Sequence, residues 1–513
     1  MCSISGIIAK DEEGSGSRSL LKNIQKHVIN MMKILKHRGP DYSGMMFDDE
    51  VLYFENFDDI TENTETISRM AMGHNRLAIV GTAVQPIPNT DESIWIICNG
   101  EIYNHVELRD ELSVDHEFKT DTDSEAIIHT YEDELVDVLD GDYAYAIYDK
   151  EKNIIELRRD LMGVKPLYYI DTDEYFAFAS EKKALYGLLM EINEMDYKSA
   201  FNYDISRLNP NSRLIYELDE NSWYIEEDLE KVNPDYFEEN DYELCKNELE
   251  TTILDSVLKR VKGLERVGII YSGGVDSTLV SKLASENCDV TLYSVGSANS
   301  EDLIYAERAA KDMGLKFRKK IILEDEFEEY VIKVAKAIDE LDVMKLSVGI
   351  PIFAASEMAK EDGIKVVLSG QGADELFAGY NRYQRILNEK GEEGLKKSII
   401  SDVFDIHKVN LERDDHCTMA NGVELRVPFL DKFVIDVGLS IPVEYKIEEP
   451  RKKILRDIAS KYVPDYIAQR PKKAAQYGSG SEKMVYAVAK KHGYSKKEIN
   501  KFFEEYLIEK IKF

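Results

Sequence analysis

Short apolar segments separated by turn residues dominate the first part of the chain. These segments have the length and continuity of buried β-strands. They lie at residues 4–9, 94–98, 144–148 and 175–179. Between them, apolar residues recur at helical spacing over residues 20–35 and 123–131. The pattern predicts β-sheets that pack on one another or on helices.

After residue 240 the rhythm changes, and predicted strands alternate with predicted helices. The strands are expected at residues 266–271, 290–295, 316–322 and 364–368. The helices are expected at residues 248–262, 277–286, 302–313, 328–339 and 350–360. This alternation predicts a parallel, doubly wound sheet, which is an α/β fold. From residue 381 onward the pattern is mostly helical.

Residues 218–240 are acidic and irregular, and they separate the two patterns. We predict that this segment is a linker between a first domain at residues 1–217 and a second domain at residues 241–513. A chain of 513 residues has room for two or three domains of ordinary size.

Composition narrows the classes of partner. The chain has 98 acidic and 65 basic side chains, a formal net charge of −33, and no dense block of lysine and arginine. Nucleic-acid binders usually carry a basic stripe, so we expect no nucleic-acid partner. No apolar run approaches the ~20 residues of a membrane span. The N-terminal MCSISGIIAK has no basic region before an apolar stretch, so we expect neither a membrane contact nor a secretory signal.

Cysteine usage points to a reducing compartment. The five cysteines are far apart, and none forms a CxxC pair. This spacing predicts neither a structural zinc site nor a disulfide framework. We therefore expect a cytoplasmic protein.

Cys2 is the first candidate for chemistry. If the initiator methionine is removed, Cys2 carries a free α-amino group with a pKa near 7.7–8.0, which could act as the base for its own thiol. The apolar run that follows would hold this end of the chain inside a sheet. One residue would then supply both nucleophile and base.

Three further segments carry groups that suit a small amide substrate. The side chain of Asn99 and the backbone N–H of Gly100 can point at one oxygen, as in an oxyanion hole. Arg76 can hold a carboxylate through two parallel hydrogen bonds, and Asp123 can hold an ammonium group. With the Cys2 thiol, these groups fit a free amino acid with an amide side chain, such as glutamine.

The segment VGIIYSGGVDS predicts a strand, a glycine turn and a helix. Gly273 and Gly274 let backbone N–H groups approach a phosphate, and the helix N-terminus adds the positive end of its dipole. Ser272 and Ser277 can add hydroxyl donors, and Asp276 can hold a magnesium ion. The lysine of the GxxxxGK[ST] loop is absent. From spacing alone, a junction without a ligand fits equally well.

Together these segments resemble glutamine-hydrolysing asparagine synthetases. The segments MCSISGI, HRGPD, NRLAIV, NGEIYN, TDTDSE, RDLMGVKPLYY and ASEKKAL resemble class II glutamine amidotransferases, in the same order. SGGVDS resembles the pyrophosphate loop of N-type ATP pyrophosphatases. LSGQGADE, GVELRVPFLD and RPK resemble later segments of the same synthetases, so the likeness covers nearly the whole chain.

The resemblance implies a fold and a reaction. The fold is an α+β N-terminal nucleophile domain with stacked antiparallel sheets flanked by helices, followed by an α/β, doubly wound ATP pyrophosphatase domain with a helical C-terminal part. The reaction is that of a ligase. It hydrolyses glutamine to ammonia, adenylates the side-chain carboxylate of aspartate with release of pyrophosphate, and displaces AMP with ammonia. The resemblance also implies a homodimer.

Roles for residues in the first half follow from the same resemblance. It implies that Cys2 attacks the glutamine amide, while Asn99 and Gly100 stabilise the tetrahedral intermediate. The residues implied to bind glutamine are Arg76, Asn99, Glu101 and Asp123.

In the second half the resemblance implies an ATP site with Mg²⁺. The residues implied to bind ATP are Ser272, Gly273, Gly274, Asp276, Ser277, Ser369 and Gly370. Asp276 and Asp374 would contact the magnesium ion, and Lys472 would be the catalytic lysine that neutralises charge on the phosphates.

Two positions depart from the family pattern and leave the acceptor open. Gln371 stands where the well-studied form has a glutamate thought to assist the ammonia step, and an amide cannot accept a proton as a carboxylate does. Ser347 stands where the family commonly has the arginine that would clamp a carboxylate, and Lys345 could take its place. Aspartate is the expected acceptor, and another small carboxylic acid is the alternative.

Two other classes of function fit less well. Some ATP pyrophosphatase folds modify tRNA, but the net charge of −33 argues against an RNA substrate. A catalytically silent scaffold would be expected to lack Cys2 or the SGGVDS segment, and both are present.

Overall fold

The computed structural model of the protein describes residues 2–10, 15–48, 50–60, 67–135, 137–230, 232–237, 241–297, 300–470 and 481–512. The chain divides into two units. The first unit comprises Met1–Glu230 with Lys512–Phe513, and the second comprises Lys231–Ile511. No helix among the described residues is long and apolar enough to cross a membrane.

The described residues of the first unit form two antiparallel sheets and the helices that cover them. The strands are β1 (Cys2–Ala9), β2 (Tyr42–Phe47), β3 (Glu50–Phe54), β4 (Met70–Arg76), β5 (Ile87–Pro88), β6 (Ile94–Ile102), β7 (Gly141–Asp149), β8 (Ile154–Arg159), β9 (Tyr168–Asp171), β10 (Tyr175–Ala179), β11 (Ser206–Arg207), β12 (Ser212–Glu217) and β13 (Ser222–Glu227). The helices are α1 (Ser15–Ile34), a 3-10 turn (Phe57–Asp59), α2 (His105–Leu112), α3 (Glu125–Glu132), α4 (Lys182–Glu191) and α5 (Tyr197–Phe201).

The order of the strands places β1 in the middle of its sheet. One sheet has the order β11-β9-β10-β1-β4-β2-β3, and the other has the order β13-β12-β8-β7-β6-β5. β1 pairs antiparallel with both β10 and β4. The strands and helices predicted from the apolar pattern are all present.

Successive side chains along the strands point to opposite faces of the sheets and fill three apolar layers. In β6, Trp95 and Ile97 face the layer between the two sheets, whereas Ile96 and Cys98 face the layer under α2 and α3. A third layer packs β1 through Ile7 against α1 and α4. The first unit therefore has four layers in the order helix, sheet, sheet, helix, as the predicted α+β fold requires.

The segment at 218–240, which we predict to be a linker, contains a strand. β13 pairs with β12 along its length, from Ser222 opposite Glu217 to Glu227 opposite Ser212. The strand is at the edge of its sheet, and its residues are exposed or half-buried. Edge strands carry charged side chains readily, which is why the acidic composition conceals this one.

In the described part of the second unit, five parallel strands and many helices follow one another. The strands are β14 (Arg266–Ile270), β15 (Asp289–Gly296), β16 (Lys316–Ile321), β17 (Val366–Leu368) and β18 (Glu424–Arg426). The helices up to residue 376 are α6 (Tyr242–Val261), α7 (Val275–Ala284), α8 (Glu301–Met313), α9 (Phe327–Ile338), α10 (Val343–Glu361) and α11 (Ala373–Leu376).

The rest of the second unit is mostly helical, as the sequence predicts. Its helices are α12 (Asn381–Phe404), α13 (Glu412–Met419), α14 (Lys432–Ser440), α15 (Val443–Ile447), α16 (Lys453–Ala459), α17 (Asp465–Ala468), α18 (Ser481–Lys491), α19 (Ile499–Phe502) and α20 (Ile508–Lys510). Short 3-10 and π turns lie at His407–Leu411, Pro428–Leu430, Lys496–Glu498 and Phe503–Leu507.

The parallel sheet has the order β16-β15-β14-β17-β18. The chain runs from β14 outward to β15 and β16, and then returns to add β17 and β18 on the other side of β14. The order therefore reverses between β14 and β17. This is a doubly wound sheet, and a crevice opens at the carboxyl ends of the two strands where the order reverses.

Candidate active sites

Cys2 begins β1 and is held inside the sheet of the first unit. Its side chain is only 7% exposed, and its antiparallel partner in β4 is Arg76. Arg38 donates a hydrogen bond from Nε to the backbone carbonyl of Cys2 over 3.1 Å. The predicted nucleophile is therefore fixed by its pairing with β4 and by the hydrogen bond from Arg38.

Asn99 reaches Cys2 from the facing sheet. Its Oδ1 accepts a hydrogen bond from the backbone nitrogen of Cys2 over 3.0 Å. Its Nδ2 is fully buried and has no hydrogen-bond partner among the described residues. A buried donor without a partner costs roughly 1–3 kcal/mol, so such a group is usually kept for a ligand. A donor of this kind beside a thiol fits the predicted oxyanion hole.

Gly100 has no room for a side chain. A Cβ added there would lie 2.3 Å from the carbonyl oxygen of Asp142 on the paired strand β7. The close approach keeps the backbone of Asn99 and Gly100 flat against β7, next to Cys2.

The protonation of the Cys2 thiol is set by opposing effects. Burial raises its pKa, while the backbone N–H of Leu77 and the guanidinium of Arg76 act in the opposite direction. The nearby imidazole of His74 is no base at neutral pH, because burial lowers the pKa of His74 to about 3 and Arg76 adds to that effect. The thiol therefore needs a different base.

Arg76 is almost fully buried, at 4% exposed. Its guanidinium donates to three backbone carbonyls of the next loop, those of Val80, Gly81 and Thr82, over 3.0, 2.5 and 3.0 Å. These bonds hold the predicted glutamine-binding cation in one orientation beside Cys2.

Asp123 and Glu101 lie at the carboxyl end of β6. Asp123 accepts a hydrogen bond on Oδ2 from the backbone N–H of Ile102 over 2.8 Å, and burial raises the pKa of its carboxyl group. Glu101 stands opposite Asp142 in the pairing of β6 with β7. Asp123 is close enough to the Cys2 thiol to raise its pKa, so the structure brings the predicted anion and nucleophile together.

A buried ion cluster behind Cys2 was not found by sequence reasoning. Glu181 accepts hydrogen bonds from Arg38 over 2.7 Å and from His37 over 3.1 Å, and Lys183 lies 2.6 Å away. Burial raises the pKa of the Glu181 carboxyl group, but His37, Lys183 and Arg38 outweigh burial and hold that pKa well below its usual range. The cluster fixes Arg38, which binds the Cys2 carbonyl. The only signal in the sequence was that HRGPD and ASEKKAL are among the matched segments.

The predicted ATP segments meet at the crevice of the second unit. SGGVDS follows β14 and SGQGADE follows β17, and these strands are adjacent and parallel. A Cβ added to Gly370 would lie 2.8 Å from the Cβ of Asp276, so the two loops are in direct contact. Open α/β sheets bind ligands at such a reversal of strand order.

The first loop has the conformation that a phosphate cradle needs. Gly273 has a φ of +68°, and a Cβ there would lie 2.9 Å from the backbone nitrogen of Ala306. The hydroxyl oxygens of Ser272 and Ser277 are 3.2 Å apart. α7 begins after Gly274 with no side chain capping its first turn. Its first N–H groups therefore point toward the loop.

A cavity of about 180 Å³ lies beside the two loops. Its polar lining includes Ser272, Asp276, Ser277, Asp302, Ser369, Gln371, Asp374 and Asp414. Gly370 also lines it, whereas Gly273 and Gly274, two predicted ATP residues, do not.

Lys452 joins the two predicted magnesium ligands. Its Nζ lies 2.8 Å from Asp276 Oδ2 and 2.7 Å from Asp374 Oδ1, and the residue is 1% exposed. Its φ of +66° is uncommon for a residue with a side chain. Gly379 makes room for this pair, because a Cβ there would lie 2.0 Å from Asp374 Oδ1 and 2.3 Å from Lys452 Cε.

Sequence reasoning missed Lys452 and chose Lys472 as the catalytic lysine. Lys452 and Asp276 are 176 residues apart in the chain, so no local motif around Lys452 indicates their contact. Lys472 lies outside the described residues, as does Met1.

Asp276 and Asp374 fit a divalent cation. Both carboxylates line the cavity, come from different loops and approach one positive charge. Carboxylate oxygens beside a phosphate loop are the ligands that Mg²⁺ prefers.

The stretch MKLSVGIP lies on α10, and only part of it reaches the cavity. Val348 and Pro351 line the cavity. The hydroxyl of Ser347 donates to the backbone carbonyl of Val343 over 2.5 Å, and Lys345 pairs with Glu340. Lys345 is therefore engaged by a carboxylate of the protein in this structure.

Comparison with known proteins covers both units. A family model described as a glutamine amidotransferase domain matches residues 58–222, and one described as asparagine synthase matches residues 248–394 and 387–510. A protein of Methanocaldococcus jannaschii, provisionally named as a glutamine-hydrolysing asparagine synthetase, is 59% identical over 98% of this chain and 98% of its own length.

More distant relatives carry the same name. Asparagine synthetase B [glutamine-hydrolyzing] of Escherichia coli is 29% identical over 94% of this chain and 83% of its own length. Among solved structures, the glutamine phosphoribosylpyrophosphate amidotransferase of B. subtilis matches at 16% identity with a TM-score of 0.35, covering 78% of this chain and 92% of that chain.

Proposed function

The chain belongs to the glutamine-hydrolysing asparagine synthetases, and from this membership we propose that it uses ATP to join ammonia, released from glutamine, to the side-chain carboxylate of aspartate. The products are asparagine, glutamate, AMP and pyrophosphate. Glutamine, ATP and aspartate are the substrates, and the enzyme is a carbon–nitrogen ligase.

In the first unit, Cys2 is the proposed nucleophile toward the glutamine amide. Its own α-amino group, once Met1 is removed, is the proposed base, because the nearby His74 is too weakly basic. The unpartnered Nδ2 of Asn99 and the N–H of Gly100 would stabilise the oxyanion. Arg76 would bind the α-carboxylate of glutamine.

The α-ammonium group of glutamine would be held by acidic and carbonyl groups at the end of β6. Asp123 is the proposed anion, and Asn99 and Glu101 complete this pocket. A buried, hydrogen-bonded carboxylate such as Asp123 fits a charged ammonium group, because pairing offsets the cost of burying both charges.

In the second unit, the two loops would hold ATP. Ser272, Gly273, Gly274 and Ser277 form the proposed cradle for the phosphates that leave as pyrophosphate. Ser369 and Gly370 of the second loop line the same cavity. The aspartate carboxylate would attack the α-phosphorus, and the adenylate would remain in the cavity.

We propose that Asp276 and Asp374 hold Mg²⁺ when ATP is bound. The ion would supply positive charge to the phosphate oxygens. Lys452 lies between these two carboxylates and would add a second positive charge to the phosphates. Lys472 keeps its predicted role as a lysine near the phosphates.

The observation that carries the proposal is the meeting of two distant loops at one cavity, with Asp276 and Asp374 on a single lysine. The test is to incubate the protein with glutamine, ATP and Mg²⁺, and with aspartate or other small carboxylic acids in turn. Pyrophosphate release should depend on aspartate and yield asparagine. Release that depends instead on another acid would identify the alternative acceptor and refute aspartate.

The same preparation tests the nucleophile. Cys2→Ala should abolish synthesis from glutamine and leave synthesis from ammonia intact. Equal persistence of both activities would contradict the role of Cys2.

Two further properties belong with this proposal. A homodimer is proposed from the resemblance alone, and sedimentation of the purified chain tests it. A cytoplasmic location is proposed from the isolated cysteines, and cell fractionation tests it.

A further inference from the structure

Gln371 and Asp414 are bound to each other on the wall of the cavity. Gln371 donates a hydrogen bond from Nε2 to Asp414 Oδ2 over 2.7 Å. The backbone N–H of Gln371 donates to Ser369 Oγ over 3.3 Å, which ties this pair to the second ATP loop. Both residues line the cavity, although they are 43 residues apart in the chain.

Asp414 is a buried carboxylate on α13, only 3% exposed. Arg413 donates from Nε to its Oδ1 over 2.7 Å, and Nη2 of the same guanidinium lies 2.7 Å from that oxygen. With Gln371 on Oδ2, both carboxylate oxygens are held in place. Burial raises the pKa of the Asp414 carboxyl group, and Arg413 and Gln371 act in the opposite direction. An ionised carboxylate with a raised pKa is a stronger base than an exposed one.

The other carboxylates that line the cavity have different partners. Asp276 and Asp374 both contact Lys452 beside the phosphate loop, and Asp302 pairs with Arg470 over 2.5 Å. Asp414 instead contacts Gln371 and its own neighbour in the chain, Arg413. It is thus the carboxylate of this wall that neither the phosphate loop nor Arg470 engages.

The amidation step needs a proton acceptor. When ammonia attacks a carbonyl carbon, its nitrogen becomes positively charged and must lose a proton before the amide is formed. A general base placed at this nitrogen typically accelerates such a step about 10²–10⁴-fold.

We propose that Asp414 accepts the proton that ammonia gives up as it attacks the aspartyl adenylate, and that Gln371 holds the Asp414 carboxylate in position for this transfer. The inference rests on the proposed function, because it assigns a residue to its last step. In that step a C–N bond forms, one N–H proton passes to Asp414, and the C–O bond to the phosphate breaks. AMP leaves with the electron pair of that bond, and Asp414 then returns its proton to AMP or to water.

The experiment separates adenylate formation from amidation. Exchange of labelled pyrophosphate into ATP in the presence of aspartate reports the adenylate, and asparagine formation from ammonia reports the last step. In Asp414→Asn we expect exchange within about 3-fold of the parent and asparagine formation lower by about 10²-fold or more. An equal fall in both activities, or a raised KM for aspartate in the exchange, would show that Asp414 binds the substrate instead.

A second variant guards against simple misfolding. Gln371→Glu combined with Asp414→Gln keeps one carboxylate and one amide in the same contact and reverses their order. We expect this double variant to form asparagine at least about 10-fold faster than Asp414→Asn, because a proton acceptor is again present. No recovery, with exchange of pyrophosphate intact, would overturn the proposal. Absence of exchange in the parent protein would instead contradict the proposed function.

Discussion

At the scale of single residues, two buried polar groups serve the sites in opposite ways. Asn99 keeps its Nδ2 without a partner among the described residues, beside the thiol of Cys2. Lys452 is instead held between two carboxylates in the second unit. The first arrangement leaves a donor for the proposed oxyanion, and the second balances a negative charge that the protein itself supplies.

Asn99→Ala should lower glutamine hydrolysis roughly 10²–10³-fold, because the oxyanion loses a donor. It should leave synthesis from ammonia unchanged. The matched control is Asn89→Ala in the same unit, whose amide is satisfied by Ser93 and Glu132. That variant should lose stability in thermal unfolding and keep the kcat for glutamine. A larger kinetic defect in the control would argue against a special role for Asn99.

Lys452→Met should abolish aspartate-dependent pyrophosphate release while glutamine hydrolysis continues. Asp276 and Asp374 would repel each other without the ammonium between them, and the phosphates would lose a positive charge. Lys453→Met is the control, since Lys453 pairs with Asp457 one turn along α16 and lies over the ring of Tyr242, away from the two aspartates. A helix ion pair of this kind is worth about 0.5 kcal/mol at most. Equal activity in the two variants would contradict the assignment.

Lys446 on α15 gives a prediction about pH. Burial lowers the pKa of Lys446 from 10.5 to about 7. Between these values the unfolded chain binds a proton that the folded chain does not, so the free energy of unfolding falls as the pH drops from 10.5 to 7 and then levels off. Lys446→Met should therefore stabilise the protein at pH 7 by a few kcal/mol, since one pKa unit is worth about 1.4 kcal/mol.

Chemical denaturation at several pH values measures this effect. The gain in Lys446→Met should shrink as the pH rises toward 10. Lys397→Met, at an exposed lysine, should show no such trend. A gain independent of pH would mean that packing, and not the charge, is responsible.

Among single residues, the sequence could identify those that stand in a local motif with a known chemical role. Cys2, Asn99 and Asp276 stand in such motifs, and the structure places them at cavities or buried sites. Lys452 and Asp414 could not be found this way, because their partners are 176 and 43 residues away. Only the folded chain brings such groups within hydrogen-bond distance.

At the scale of elements, a short strand positions the ATP site. β17 has only three residues, all buried, and it pairs with β14 on one side and β18 on the other. The loops that leave β14 and β17 therefore start side by side. Because the backbones of these strands are fixed by the ladder, small glycines in the loops decide how closely the loops approach.

Gly273→Ala should disable this site. Its φ of +68° costs about 1 kcal/mol for alanine, and the new Cβ would also press on Ala306. Gly263→Ala is a matched control, with a φ of +78° and nothing within 4 Å. Both variants should lose the stability that the positive φ costs, Gly273→Ala should lose more because of its contact with the Ala306 backbone, and only Gly273→Ala should lower pyrophosphate release, by about 10-fold or more. Equal rates in the two would show that the loop tolerates a side chain.

The apolar pattern predicted the buried strands better than the strand at the edge of a sheet. Strands such as β1 and β6 are buried on both faces, so their apolar runs are continuous and easy to recognise. β13 is an exposed edge strand with an acidic end, and its composition indicated a linker instead. Pairing with β12, which is not readable from composition, makes it a strand.

At the scale of the whole molecule, each unit carries one of the two proposed sites. The thiol site belongs to the first unit, and the ATP loops with their carboxylates belong to the second. Each ligand should therefore protect its own unit by binding to the folded state.

Hydrogen exchange on the full-length Cys2→Ala variant tests this division. Glutamine, which this variant does not hydrolyse, should slow exchange around residues 98–102 and 121–124. ATP with Mg²⁺ should slow exchange around residues 271–278 and 368–375. Removal of Mg²⁺ with a chelator should abolish the second protection and leave the first. Protection of the first segments by ATP alone would contradict the separation of the two sites.

The burial of Cys2 at the start of a central strand has a practical consequence for anyone who produces this protein. A purification tag fused ahead of Cys2 would have to leave the sheet beside Asn99, and it would keep the Cys2 nitrogen in a peptide bond, where it cannot act as the proposed base. Tagged preparations of that design should be dead toward glutamine while still consuming ammonia. A tag at the opposite end of the polypeptide avoids the problem.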